Sequence, residues 1–405
     1  MKRTGKLYVV LAINAMGPVE DPRLPDLLTN WNEVDGRMLS KIFSKEYRGK
    51  YPDTLTRNLV ISFFCISWSG FKYNPVRRDL GWHTVYDHYT RVWGREIERF
   101  GDGVYWLYNH PAPSGAANEW GLDWLHNTHY LNVLNHRIIE RGYFPSVVQV
   151  PTEDNQTSHF LEDWFPFDFG NRNADEINWD APQTGGLRVK DLLKWDRAPK
   201  DWGYYHPSHR DHQVPGRMNR IIFRLLDIKS IVYNLTIEEI EKAFRRCLMG
   251  LDTVLAAYEH DYRERAETII ELYIKPIYEL SQKYTEVEWH YTNALEAAHA
   301  VLGYKNNELP KFGFYRHSDG FRVEVSKELF GPMPYVTVYS PSEEVYRQIP
   351  VTKIGATAWK LPEVKILEED VIGVASSDMY GNVGVERFVY EGREFRRAEE
   401  RDLAF

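Results

Sequence analysis

Cysteine is nearly absent: the 405 residues include two, Cys65 and Cys247. One sits in the apolar run ISFFCIS and the other on a helical pattern, so no disulfide framework is expected and a reducing, cytoplasmic setting is. No apolar run approaches the roughly 18–20 residues of a membrane-crossing helix, so no membrane span is expected. Residues 1–16 carry Lys2, Arg3 and Lys6 ahead of LYVVLAINAM, but the apolar part is short, β-branched and runs into Gly17-Pro18; it reads as a first core strand rather than a leader. Basic excess is missing too. Fifty Lys and Arg against 58 Asp and Glu give a formal net charge of −8 and a pI near 6.0, with no basic stripe, so nucleic acid is not an expected partner. Low-complexity tracts, internal repeats, a nucleophile elbow, a P-loop and a dinucleotide fingerprint are lacking as well. What is plentiful is aromatic surface, with 13 Trp, 26 Tyr and 19 Phe. Such rings bury large areas and make flat platforms for stacking, which suits a carbohydrate or another neutral ligand.

Apolar runs alternate with helical periodicity over the first three quarters of the chain. Strands are expected at 7–14, 58–67, 104–108, 146–150, 202–207, 218–226, 251–258 and 287–290. Helices are expected at 34–43, 85–100, 122–141, 160–164, 237–249, 262–284 and 293–302. Continuous runs such as NLVISFFCIS belong to strands covered on both faces, the mark of a parallel sheet. Thr236-Ile-Glu-Glu reads as a capping box, Gly142 as a helix stop, and 171–199 as a long surface excursion of the binding-loop kind. About seven βα units suggest a closed barrel over 1–303. Beyond it the pattern becomes alternating and turn-rich (FGFYRH, FRVEVS, YVTVYS, VIGVAS, GVERFVYE), as in a small antiparallel β-sandwich over 304–405.

In parallel α/β folds the chemistry gathers where strands end. The first strand ends at Asn14, the second leads to Trp68, and the stretch 101–111 (GDGVYWLYNHP) presents Asn109 and His110. The fourth leads to Asp154, the segment YYHPS carries His206, and 251–258 delivers Glu259-His260-Asp261. Trp68, Tyr105, Trp106, Tyr108 and Trp120 lie on or just after these strands. Rings facing the opening would stack on sugars, with Asn109, Asn118 and Asp154 as hydrogen-bonding groups; any one ring reads equally well as core. His126, His129 and His136 lack the adjacent acid of a zincin helix and read as helical surface or inter-helix residues.

The order of these features resembles the polysaccharide deacetylase family of the glycoside hydrolase/deacetylase barrel superfamily, over about residues 8–303. The resemblance implies an α/β fold with a distorted (β/α)7-type barrel. It also implies a Thr-Phe-Asp-Asp motif, a His-x-x-x-His-Pro motif, an Arg-bearing strand and a late strand ending in His. In metal-dependent members one Asp and two His hold a divalent cation, a second Asp is the base and the late His the acid. Here Asn14 stands at the Asp position, His110-Pro111 match the second His and the Pro, Trp106 stands at the first His, the Arg position falls near Gln149 or Val150, and His260 matches the late His.

An amide for a carboxylate and an indole for an imidazole remove charge and coordination together, and an Asn cannot act as a general base. No bound metal is therefore expected; if zinc binds, His110 and His260 are its ligands. A rebuilt site would draw on Glu20, Asp21, Glu153, Asp154, His206, His260 and Asp261. The implied activity is hydrolytic, removal of an N-acetyl group or cleavage of a glycosidic bond. His260 would be the acid and Asp154 or Asp261 its carboxylate partner. Asn14, Trp68, Trp106, Asn109, His110, Trp120 and His206 would line a site for an acetylated surface polysaccharide or oligosaccharide. The alternative is a barrel without catalysis that binds a glycan or serves as a scaffold, its C-terminal domain meeting a protein partner or a second copy.

Overall fold

The computed structural model describes residues 3–19, 27–66, 82–108, 129–151, 153–179, 194–229, 232–233, 235–392 and 394–403. In chain order the first strands are β1 (Leu7–Ala15), β2 (Ile61–Ile66), β3 (Gly103–Leu107), β4 (Val147–Gln149), β5 (Phe167–Asn171), β6 (Tyr204–Tyr205), β7 (Pro207–Ser208), β8 (Asp211–Pro215), β9 (Ile221–Arg224), β10 (Leu226–Asp227), β11 (Thr253–His260) and β12 (Trp289–Tyr291). The large sheet runs β10-β11-β1-β2-β3-β4-β5-β9-β6, with β12 also on β1. Every pair from β10 to β9 is parallel. That is why β1 and β2 are mostly apolar and buried almost throughout: both faces of a parallel strand are covered.

The sheet is curled. Phe64 of β2 meets Phe169 of β5 at a ring separation of 6.3 Å, although β3 and β4 lie between their strands. On a flat sheet that distance would be about 14 Å. Ile221–Arg224 pair with β5, and after Leu225 alone, Leu226 and Asp227 pair with β11. Segments near opposite ends of the strand path are thus consecutive in the chain.

Helices cover 31–42, 82–100 with a break at Trp93, 129–141, 155–162, 237–248, 266–283 and 294–302. Asn293 and Glu296 form a capping box on the last of these. Thr236 caps 237–248 as its sequence anticipates, but the Glu239 side chain turns away from the cap to pair with Arg224. Gly142 ends 129–141 in the left-handed conformation that glycine allows. Several elements differ from the sequence expectation: β8 and the short helix Lys45–Arg48 were not expected, and the strands expected at 202–207 and 218–226 are each split in two. The helix expected at 160–164 spans 155–162, and β5 was not anticipated at all. The β5 sequence, FDFGN, alternates aromatic and polar residues, but the Pro and Gly around it read as loop.

Contacts divide the chain into two compact units. One holds 1–123, 147–158 and 167–304; the other holds 124–146, 159–166 and 305–405. The boundary expected between 303 and 304 is therefore crossed by helix 129–141, which packs with the C-terminal strands. Those strands are β13 (Phe312–His317), β14 (Gly320–Val325), β15 (Tyr335–Ser340), β16 (Val345–Gln348), β17 (Thr352–Lys353), β18 (Ala358–Lys360), β19 (Val371–Ser377), β20 (Val383–Glu391) and β21 (Glu394–Arg397). They form two antiparallel sheets, β13-β14-β18-β17 and β16-β15-β19-β20-β21. Phe314, Val323 and Trp359 from the first share one apolar core with Val336, Val338, Ile372 and Phe388 from the second. The opposite side of β15 receives the helix: Tyr335 Oη donates to Asn135 Oδ1 at 3.0 Å. Gly373 of β19 is required there, since a Cβ would come within 2.5 Å of Ile138.

Candidate functional site at the strand C-terminal ends

Register decides which side chains share a face, because in-register residues of parallel strands point to the same side. Asn14 lies opposite Phe64 and His260, Phe64 opposite Tyr105, Leu107 opposite Ile66 and Gln149, and Asp227 opposite Tyr258. All of these look onto the concave side that Phe64 and Phe169 define. The N-terminal half of that side is covered by helix 294–302. Ala294 N–H donates to Ser62 Oγ at 2.9 Å, Tyr105 Oη donates to Asn293 Oδ1 at 2.8 Å, and His299 meets Phe167 edge-on. Polar groups therefore gather at the other half, where the strands end.

Two of them are amides without protein partners. Asn14 is 3% exposed and its Oδ1 has none; Gln149 is 0% exposed and neither its Oε1 nor its Nε2 has one. Leaving a buried amide unpaired costs about 1–3 kcal/mol, so such a group marks a place where something else supplies the hydrogen bond.

Beside them is a titratable cluster. The His260 side chain is 20% exposed and lies between the rings of Tyr258 and Tyr262, at 5.5 and 4.8 Å. Its Nδ1 is 3.7 Å from Glu259 Oε1, too far for a hydrogen bond. Glu259, one residue earlier, points away and is gripped by Arg265 Nη1 at 3.0 Å from both oxygens. Burial works against its charge, yet His260 and Arg265 outweigh that and hold it below its ordinary value. Asp227 accepts from Tyr258 Oη and from Lys229 N–H, each at 3.1 Å. Burial and the Glu259 charge push its carboxyl up. The Arg172 guanidinium stacks over the Tyr258 ring at 3.8 Å. His260 thus shares its face with a buried carboxyl, two side-chain types that can carry protons.

The residues expected from sequence fare differently. Asn14 and His260 come together on adjacent strands. Asp261 does not face a ligand: its Oδ1 accepts Met16 N–H at 2.9 Å, and its Oδ2 accepts Gly17 N–H and Tyr89 Oη, both at 2.9 Å. It pins the turn after β1, and burial pushes its carboxyl up to about 6. Asp154 caps helix 155–162 by accepting Thr157 N–H at 2.8 Å. His206 Nδ1 pairs with the Met218 carbonyl at 2.9 Å, in the corner between β6 and β7. Trp106 pairs in register with Cys65 and Val148, one step out of phase with Tyr105. Its fully buried ring lies on the face away from Asn14, which removes it from the expected sugar platform. Glu153 is buried against Arg220. Trp68, Asn109, His110, Trp120, Glu20, Asp21 and Asn118 lie outside the described residues.

Sequence reasoning gave Gln149, Asp227 and Arg172 no role. Gln149 was detectable as one polar residue in VVQV, and Asp227 as the acid that follows the apolar run IIFRLL. Arg172 follows β5, and missing that strand hid it.

The cation implied by the resemblance does not fit the donor set. Asn14 offers an amide, Trp106 an indole on the wrong face, and among the described residues no three His, Cys, Asp or Glu side chains converge as ligands. No helix among the described residues is long and apolar enough to cross a membrane. No family model, curated protein or solved structure matches the chain.

Proposed function

We propose that this is a carbohydrate-active protein of the deacetylase-like kind, which takes a polysaccharide or oligosaccharide at the strand C-terminal ends. The curled parallel sheet, whose strands β9 and β10 near its two ends are consecutive in the chain, supports reading it as a distorted (β/α)7 barrel, whose mouth is the usual place for a ligand. The observation that carries the reading is the pair of buried, unpartnered amides, Asn14 and Gln149, on the face that His260 shares. Neutral amides with apolar neighbours suit sugar hydroxyl and carbonyl groups. His260, with Asp227 nearby on the same face, supplies proton transfer for hydrolysis. The buried thiols of Cys65 and Cys247 support a cytoplasmic setting.

A second reading, glycan binding without turnover, is favoured by one observation. The carboxylates expected to partner His260, Asp154 and Asp261, already accept backbone N–H groups. The two readings part in one experiment. An oligosaccharide panel, including acetylated members, is screened for binding by calorimetry and for release of acetate or reducing ends, with wild type and His260→Ala. Hydrolysis predicts turnover that falls by about 100-fold or more in the variant while binding persists; binding alone predicts retained affinity and no product from either protein. No binding to any member would overturn both.

A further inference from the structure

Gln149 poses a question that its strand does not answer. Its strand neighbours Val147 and Val148 and its in-register partner Leu107 are buried and apolar, and a Met or Leu would fill the same space. An amide in that place has a donor and an acceptor aimed at the same space, and both lack a protein partner. A hydroxyl is the smallest ligand group that donates and accepts at once. A carboxylate or phosphate only accepts, and it would need a cation. Among the described residues of this unit, the buried arginines are committed elsewhere: Arg220 to Glu153 and Asp168, Arg224 to Glu239, Arg48 to Asp102, while the charge of Arg172 falls on Asp227. An anion beside Gln149 would find none of these arginines free to compensate its desolvation.

We propose that Gln149 is a specificity-determining residue that reads a ligand hydroxyl and so selects a neutral sugar over its uronic-acid or phosphorylated counterpart. The proposal rests on the glycan reading above. Sites built to hydrogen-bond a hydroxyl discriminate steeply, because the group left unpaired in the wrong complex is buried.

The test is calorimetry of wild type, Gln149→Met and Gln149→Leu against neutral hexose oligomers and the hexuronate oligomers of matching linkage, with a melting curve for each protein. Wild type is expected to bind the neutral series about tenfold or more tighter than the uronates. At least one variant is expected to fold, to melt no lower than wild type, to bind the neutral oligomers about tenfold weaker and to lose most of the preference. Wild type that binds while a folded variant stays within about twofold of it overturns the role of Gln149 alone. Variants that both melt well below wild type overturn it too, since the amide would then hold the fold. Wild type that binds no oligomer of either series overturns the glycan reading with it.

Discussion

The buried polar groups around the large sheet fall into two classes, those partnered within the chain and a few on the concave side that are not. On the outer side, Asp168 points away from the concave face and joins Glu153 around Arg220, whose Nη1 also reaches Ser158 Oγ at 2.9 Å. Arg224 crosses to Glu239 while its guanidinium lies over Trp202. At the N-terminal ends of β2 and β3, Arg48 grips Asp102 at 2.8 and 2.7 Å. Every one of these arginines has a carboxylate partner. On the concave side, Asn14 Oδ1 and the Gln149 amide have no partner, and the His260 ring stands 3.7 Å from Glu259, beyond hydrogen-bond reach. Outer groups that find their partners inside the chain belong to the fold, and inner groups that do not are held ready for something that arrives.

The largest test of that contrast is Arg220→Ala. It strands two buried carboxylates, one of which burial already pushes upward, and is expected to cost about 3–5 kcal/mol of stability. Chemical denaturation measures it. A loss below about 1 kcal/mol would place the triad with the merely tolerated polar groups and break the contrast at its structural end.

Asp261 stands between the two classes, since it has donors but no cation. Its folded-state pKa, about 6, lies above the ordinary 3.8. Its contribution is therefore fully present below about pH 3.8 and is lost as pH rises through about 6. Relative to Asp261→Asn, wild type is expected to lose about 2 kcal/mol between about pH 4 and pH 7. Melting curves of both proteins across that range give the difference; a flat difference would mean that the three hydrogen bonds from Met16, Gly17 and Tyr89 fully offset burial.

Much of the scaffold was legible in the sequence because its signals are local. LYVVLAINA and NLVISFFCIS announce strands covered on both faces, Thr236 announces a cap, and the ten-residue rhythm after Lys311 announces antiparallel strands. The site was less legible because it depends on phase and on unlike partners. Whether Tyr105 or Trp106 faces inward is a matter of one residue of register, fixed by Phe64 and Cys65 on the neighbouring strand. Asp154 and Asp261 carry the charge that chemistry wants, but only their surroundings reveal that backbone N–H groups already hold them. Gln149 shows the converse. A polar residue inside VVQV is weak evidence until its lack of a partner is seen.

The smallest effect on stability is expected at Asn14, and it is the one that most sharpens the contrast. Asn14 sits at the end of β1 with Phe64 on one side and His260 on the other, 3% exposed, its Oδ1 unpartnered. Asn14→Leu keeps similar volume and removes the orphaned amide, so the desolvation term and the added apolar burial both favour the variant. Against them stands a modest repacking cost. The net is expected within about 1 kcal/mol of wild type and on the stabilising side. Affinity for a bound oligosaccharide is expected to fall over the same change, by about 1–2 kcal/mol, because the ligand loses a buried hydrogen bond. Stability and binding would then move in opposite directions at one residue, the behaviour expected of a group kept for function at the expense of the fold. A clear loss of stability with affinity unchanged would assign Asn14 to the outer class, and the inner side of the sheet would no longer differ from the outer in kind.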